Sequence, residues 1–181
     1  MGHTIISPVP SLFTFNIKDA RIKDLLGISV PNATVQLEDT NLEASGPLLI
    51  THWGMSGPAI LKLSAFGARV LAEKNYEYQV QVDWLSRPTH KIVNVLLNLK
   101  KKHSKKQVIV RSPFEEIPKR LWERFVLASK IKTTFNWADV SHDQIDALAN
   151  QLTKSVFTAK GKSTFKEEFV TAGGVDLREN S

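Results

Sequence analysis

No cysteine occurs anywhere in the 181 residues. That absence removes disulfides, thiol nucleophiles and thiolate metal ligands together. Long apolar runs are missing as well: nothing approaches the roughly 20 consecutive residues that span a bilayer. The opening stretch "MGHTIISPVP" has neither the charged start nor the apolar core of a secretory leader. The expectation is a cytoplasmic protein with no membrane partner. The five histidines, at positions 3, 52, 90, 103 and 142, show no HxxxH spacing and no close set of carboxylates, so no metal site is predicted. Neither GxGxxG nor GxxxxGK[ST] is present. "AKGKST", Ala159 to Thr164, has the end of a phosphate-binding loop but lacks its first glycine and the helix that must follow.

What is present is an ordinary globular composition, 42% hydrophobic, with enough length to bury a core. The formal net charge is +6, and five lysines with no acid fall in "LKKKHSKK", Leu99 to Lys106. Such an excess favours an acidic partner. The plainer reading is a solvated helix end, where lysines also suit the helix dipole. Aromatic residues are not interleaved with these lysines, as a binder of single strands requires.

The periodicity changes along the chain. "SLFTFNI" (Ser11 to Ile17) reads as a strand. "LLGISV" (Leu25 to Val30) and "TVQLE" (Thr34 to Glu38) read as two strands flanking the turn-like "PNA". "GPLLITH" (Gly46 to His52) is another apolar strand. "YEYQVQVDW" (Tyr76 to Trp84) alternates strictly, with Tyr76, Tyr78, Val80, Val82 and Trp84 on one face. Between the last two, Ala59, Leu63, Phe66 and Val70 mark one helix, with Ser56 as its N-cap and Pro58 in its first turn. From Arg87 to about Lys154 the period is helical. The stripes are Ile92, Val95, Leu96 and Leu99; Leu121, Phe125 and Ala128 after Pro118; and Ile145, Leu148 and Leu152 after a capping box of Ser141 and Gln144. The tail, "SVFTAKG" and "TFKEEFVTAGGV", reads as two strands joined by "KGKS". The fold class is therefore α+β. An antiparallel β-barrel-like subdomain (1–86 with 155–181) receives an inserted small helical-bundle subdomain (87–154), and the last strands close the first sheet.

"THWGMSGPAI", Thr51 to Ile60, is the densest candidate for chemistry. A nucleophile elbow needs glycines two before and two after its serine. Gly54 stands two before Ser56, but Pro58 stands two after, so the serine-hydrolase spacing fails. As a helix start, the segment offers backbone N–H groups and a positive dipole end to an anion or polarised carbonyl. Gly54 and Gly57 would let a flat ligand approach, while His52 and Trp53 would add a proton donor and a stacking face. The plainer reading of His52 is a satisfied core histidine at a strand end. "VTAGGV", Val170 to Val175, offers a second glycine-bearing strand end, or a plain turn. Glu167 and Glu168 are adjacent in a predicted strand and face opposite ways, so they are no acid–base pair.

"LLITHWGMSGPAILKLSAFGARVLAE" together with "TFKEEFVTAGGVDLRE" resembles the BaiN/YhiN-like family of flavoproteins, NAD(P)/FAD-dependent oxidoreductases of the aminoacetone-oxidase type. Thr51, His52, Gly54, Ser56, Gly57, Pro58, Ala59, Ile60 and Leu61 match one family pattern, and Thr171, Gly173, Gly174 and Val175 match a later one. "GHTI" near the start resembles the family's approach to this region. The resemblance implies the insert of a larger enzyme: a barrel and a helical part that cover FAD and shape the substrate pocket. Its partners are then the FAD-binding domain of the same protein and a small-molecule substrate, with no nucleic acid. It also implies that His52, Gly54, Ser56, Gly57, Thr171, Gly173 and Gly174 lie near the flavin, and that no side chain is catalytic in this region alone. The alternative is a free-standing basic module that holds nucleic acid or an acidic protein.

Overall fold

In the computed structural model, residues 12–164 are described. Six strands close into an antiparallel barrel in the order β1 (Phe13–Ile17), β4 (Gly54–Ser56), β3 (Glu43–Ile50), β2 (Ser29–Leu37), β5 (Glu77–Asp83), β6 (Ser155–Thr164), with β6 returning to β1. Closure removes the sheet edges that would otherwise template aggregation. Inward residues alternate along β5 as the sequence predicts: Tyr78, Val80 and Val82 are buried, and Trp84 beyond the strand is fully so. Phe13, Phe15, Leu48, Ile50, Met55 and Phe157 fill the same interior.

Two predicted turns are instead parts of continuous strands. "PNA" lies inside β2, where the register with β3 shifts between Val30 and Ala33. Pro31 is tolerated because β2 pairs with β5 only from Thr34 onward, so its missing N–H leaves no ladder bond unmade on that side. "KGKS" lies inside β6. Gly161 adopts φ +77° at the bulge where β6 passes from pairing with β5 to pairing with β1. In sequence, a glycine marks a bulge and a turn alike. The strand expected after Thr164 lies outside the described residues.

The helix predicted after β4 is two: α1 (Pro58–Phe66) and α2 (Ala68–Glu73), broken at Gly67. The break leaves Phe66 62% exposed rather than in the apolar stripe. Ser56 is not the N-cap. It is the buried last residue of β4, paired with Leu49, and Gly57 at φ +96° occupies the cap without a side-chain bond. Ser64 on α1 accepts the N–H of Phe13, which ties the helix to β1.

Between β5 and β6 the chain forms α3 (Thr89–Lys102), α4 (Lys119–Ala128) and α5 (His142–Thr153), with a 3-10 turn at Trp137–Asp139. The Ser141–Gln144 capping box is present in both directions, at 3.1 and 2.9 Å. α5 packs on α3 and α4 and rests on β5 and β6. Trp84 sits at that junction, 5.5 Å from the ring of Phe125 on α4 and 6.0 Å from that of Phe157 on β6. Among the described residues, no helix is long and apolar enough to cross a membrane.

Candidate functional site

The turn between β3 and β4 is built by one hydroxyl. Thr51 Oγ1 accepts the backbone N–H groups of Trp53 (3.3 Å) and Gly54 (3.1 Å), and the Thr51 N–H returns to the carbonyl of Gly54 at 2.9 Å. Local side-chain bonding of this kind fixes a tight turn. Ile17 then donates its N–H to the Trp53 carbonyl at 2.8 Å, locking the turn to the end of β1. With the backbone held from both sides, the side chains of His52 and Trp53 are driven outward. Trp53 is 59% exposed and His52 is exposed, so the histidine is not a core residue. Their ring centres lie 5.9 Å apart, tilted by 47°.

Gly54 serves the chain itself. A Cβ there would stand 2.1 Å from the Phe15 carbonyl oxygen and 2.5 Å from the Ile17 nitrogen. Likewise, a Cβ on Gly57 would meet the Pro47 carbonyl oxygen at 2.9 Å. The close approach observed at both positions is that of a neighbouring strand.

Two clefts meet at this turn. One, of about 720 Å³, is walled by the segment from Ile17 to Leu26 and by Thr51, His52 and Gly54. The other, of about 600 Å³, is lined by Asn16, Lys18, His52, Trp53, Thr158 and Lys160. His52 and Lys18 border both. A tryptophan face beside two ammonium groups suits a flat ring that carries phosphate. Ser56 and Gly57 line neither cleft, and Thr171, Gly173 and Gly174 lie outside the described residues.

The wall of the first cleft depends on residues that sequence reasoning missed. Arg21 donates to both carboxylate oxygens of Asp19 at 2.8 Å, to Gln151 Oε1 on α5 at 3.0 Å and to the carbonyl of Val156 on β6 at 2.6 Å. Burial pushes the Asp19 carboxyl up, but the Arg21 side chain, its N–H and its charge outweigh that and hold it below the usual range. From α4, Arg120 donates to the Asp24 carbonyl (2.8 Å) and Arg124 to that of Ala20 (2.7 Å). Carbonyl acceptors leave no trace in residue type, so only the D-x-R spacing of Asp19 and Arg21 was available as a signal. Among the described residues, no group of three or more histidines and carboxylates is placed to hold a metal.

Residues 9–170 match the family model described as the HI0933-like protein barrel and H2TH domain. The chain belongs to this family, the flavoprotein family to which "THWGMSGP" and "TAGGV" pointed. It is also 28% identical over 179 residues to the ribosomal RNA dihydrouridine synthase of Haemophilus influenzae, covering 98% of this chain and 41% of that protein. The chain thus spans about two fifths of the relative's length.

Proposed function

We propose that this chain forms the substrate side of an FAD-dependent oxidoreductase that reduces uracil in ribosomal RNA, with NAD(P)H as the electron source. The observation that carries the reading is the turn between β3 and β4, where exposed Trp53 and His52 line one cleft with Lys18 and Lys160. Membership in a flavoprotein family and the activity named for the Haemophilus influenzae relative support it. In the sequence, nucleic acid is only the alternative reading, because no aromatic residue interrupts the lysine run. Trp53 is distant from that run in sequence, yet it supplies an exposed ring beside other lysines.

Converting uridine to dihydrouridine adds a hydride to one carbon of the ring double bond and a proton to the other. Bound flavin supplies the hydride chemistry. In this proposal Trp53 stacks on the target base, which stacking on an aromatic favours by about 1–3 kcal/mol. Lys18 and Lys160 hold the adjoining phosphates, and His52 holds a proton beside the ring. In this proposal the rim residues would face one edge of the cofactor. The rest of FAD belongs to a dinucleotide-binding domain, since the glycine-rich fingerprint is absent from these residues. Cytoplasmic location belongs to the same proposal.

The test is deletion of the reading frame, followed by mass-spectrometric nucleoside analysis of ribosomal RNA. Dihydrouridine is expected to disappear, to return with the wild-type gene, and to return roughly tenfold less with Trp53→Ala, as loss of one stacked base implies. Unchanged dihydrouridine after deletion overturns the reading.

A further inference from the structure

The lysine run at the end of α3 is not used by the barrel rim, and the structure separates its members. Lys100 turns back onto the carbonyls of Ala138 and Val140, closing the end of the 3-10 turn. Lys101, Lys102, Lys105 and Lys106 are exposed, as is Arg111 after them. Among the described residues, none of these five makes an ion pair. Compensation of the α3 dipole requires a charge in the last turn only, and Lys100 to Lys102 already lie there. Lys105, Lys106 and Arg111 are therefore surplus to that need, and their mutual repulsion is unrelieved by any acid in the segment.

The scaffold beneath them is fixed. The Lys106 N–H bonds to the His103 carbonyl at 2.9 Å. Trp137 donates its N–H to the Lys106 carbonyl at 2.9 Å, Ala138 to that of Ser104 at 3.0 Å and Val108 to that of Phe135 at 3.1 Å. A groove of about 620 Å³ is lined by the polar Lys106, Gln107 and Arg111 and by the apolar Leu99, Val110 and Pro113. Trp137 is only 4% exposed, so its ring is covered and does not offer itself for stacking. Cations and an amide without an open ring recognise phosphate rather than bases, and phosphate contacts position a nucleic acid without reading its sequence.

We propose that this turn, from Lys101 to Arg111, is a second RNA contact that grips the phosphate backbone of a folded RNA away from the reacting base. The proposal rests on the RNA reading of the rim. It gives the barrel and the helices separate tasks: stacking one base, and orienting the molecule that carries it.

The test is fluorescence anisotropy of the purified protein with a fluorescein-labelled RNA hairpin between 50 and 200 mM KCl. Each lost phosphate contact lowers the salt slope by about 0.7–0.9. The Lys105→Ala, Lys106→Ala, Arg111→Ala triple variant should therefore flatten the slope by about 2 and weaken binding at least roughly tenfold at the low-salt end. The Lys105→Arg, Lys106→Arg variant should bind as the wild type does, which separates charge from packing. An unchanged slope in the alanine variant overturns the contact. So does equal competition by a poly-glutamate peptide of the same charge, which would assign the surface to an acidic protein. If dihydrouridine is lost on gene deletion but the slope is unchanged, this contact fails and the rim reading stands. A flattened slope without loss of dihydrouridine gives the reverse.

Discussion

The guanidinium of Arg21 lies 3.9 Å from the centre of the Phe157 ring, while its nitrogens reach Asp19, Gln151 and the Val156 carbonyl. One side chain thus joins the cleft wall, α5 and the strand that closes the barrel. Charge-assisted bonds contribute about 1.5–3 kcal/mol and a partly desolvated cation–π contact about 1. Arg21→Ala is expected to lower unfolding free energy by about 2–4 kcal/mol, measured by urea denaturation. Arg21→Lys should recover less than half, because an ammonium cannot fork to several acceptors and lie flat on a ring. Full recovery by lysine would show that charge alone is what matters.

Asp19 gives this junction a pH dependence. Its folded carboxyl is held below the unfolded value by Arg21, so its contribution is present above the unfolded value of about 3.9. It is lost as pH falls through the folded value. Wild type should therefore lose more stability than Asp19→Asn between pH 5 and pH 2, with the two urea midpoints converging at the acid end. Asp83 has the opposite sign: burial raises its carboxyl against the pull of the Leu85, Ser86 and Arg87 N–H groups and the Arg87 charge. Its ionisation as pH rises removes stability, so Asp83→Asn should not reproduce the Asp19→Asn curve.

Tyr78 carries a polar atom into the barrel. The side chain is 5% exposed, its ring meets that of Phe15 edge-on at 5.1 Å, and among the described residues its hydroxyl has no hydrogen-bond partner. Burial pushes the phenol well above its ordinary value. Removing a buried hydroxyl without a partner relieves a desolvation cost of about 1–3 kcal/mol, offset by the small void it leaves. Tyr78→Phe should therefore be neutral or stabilising in thermal unfolding. A loss of more than about 1 kcal/mol would mean that a bound water satisfies the hydroxyl.

The barrel was legible where side-chain alternation reports burial directly, as in β5, and the helical part where leucines recur on one face. Strand continuity was not legible at Pro31 or Gly161, because proline and glycine signal turns and bulges with the same letters. Ser56 looked like a cap because serine before Gly-Pro favours a helix start, yet pairing with Leu49 holds it extended. The candidate turn was legible as "THWG". Its cleft wall was not, because Arg21, Arg120 and Arg124 bind backbone carbonyls distant in sequence.

Gly54 tests whether the motif takes its form for the fold or for a ligand. A Cβ would overlap the backbone of β1 at 2.1 and 2.5 Å, and backbone cannot yield as a flexible side chain can. Gly54→Ala should cost several kcal/mol, at least about 3, or prevent folding, since it forces β1 and β4 apart. Normal stability with loss of RNA binding would instead assign the glycine to ligand approach.

Arg120 and Arg124 make exposed bonds from α4 to the carbonyls of Asp24 and Ala20, so each should add no more than about 1 kcal/mol to global stability. Their effect should be local, because the segment they hold is the wall of the cleft beside His52. In the Arg120→Ala, Arg124→Ala double variant, amide exchange at Ile22, Lys23 and Leu25 should accelerate roughly tenfold, as loss of about 1.4 kcal/mol of local protection implies. Barrel amides should keep their wild-type rates. Under the proposed function, KM for RNA should rise with little change in kcat, since the wall positions substrate and does not react. Uniform acceleration across barrel and helices, or a stability loss beyond about 2 kcal/mol, would make the arginines part of the fold's general support and remove them from the site.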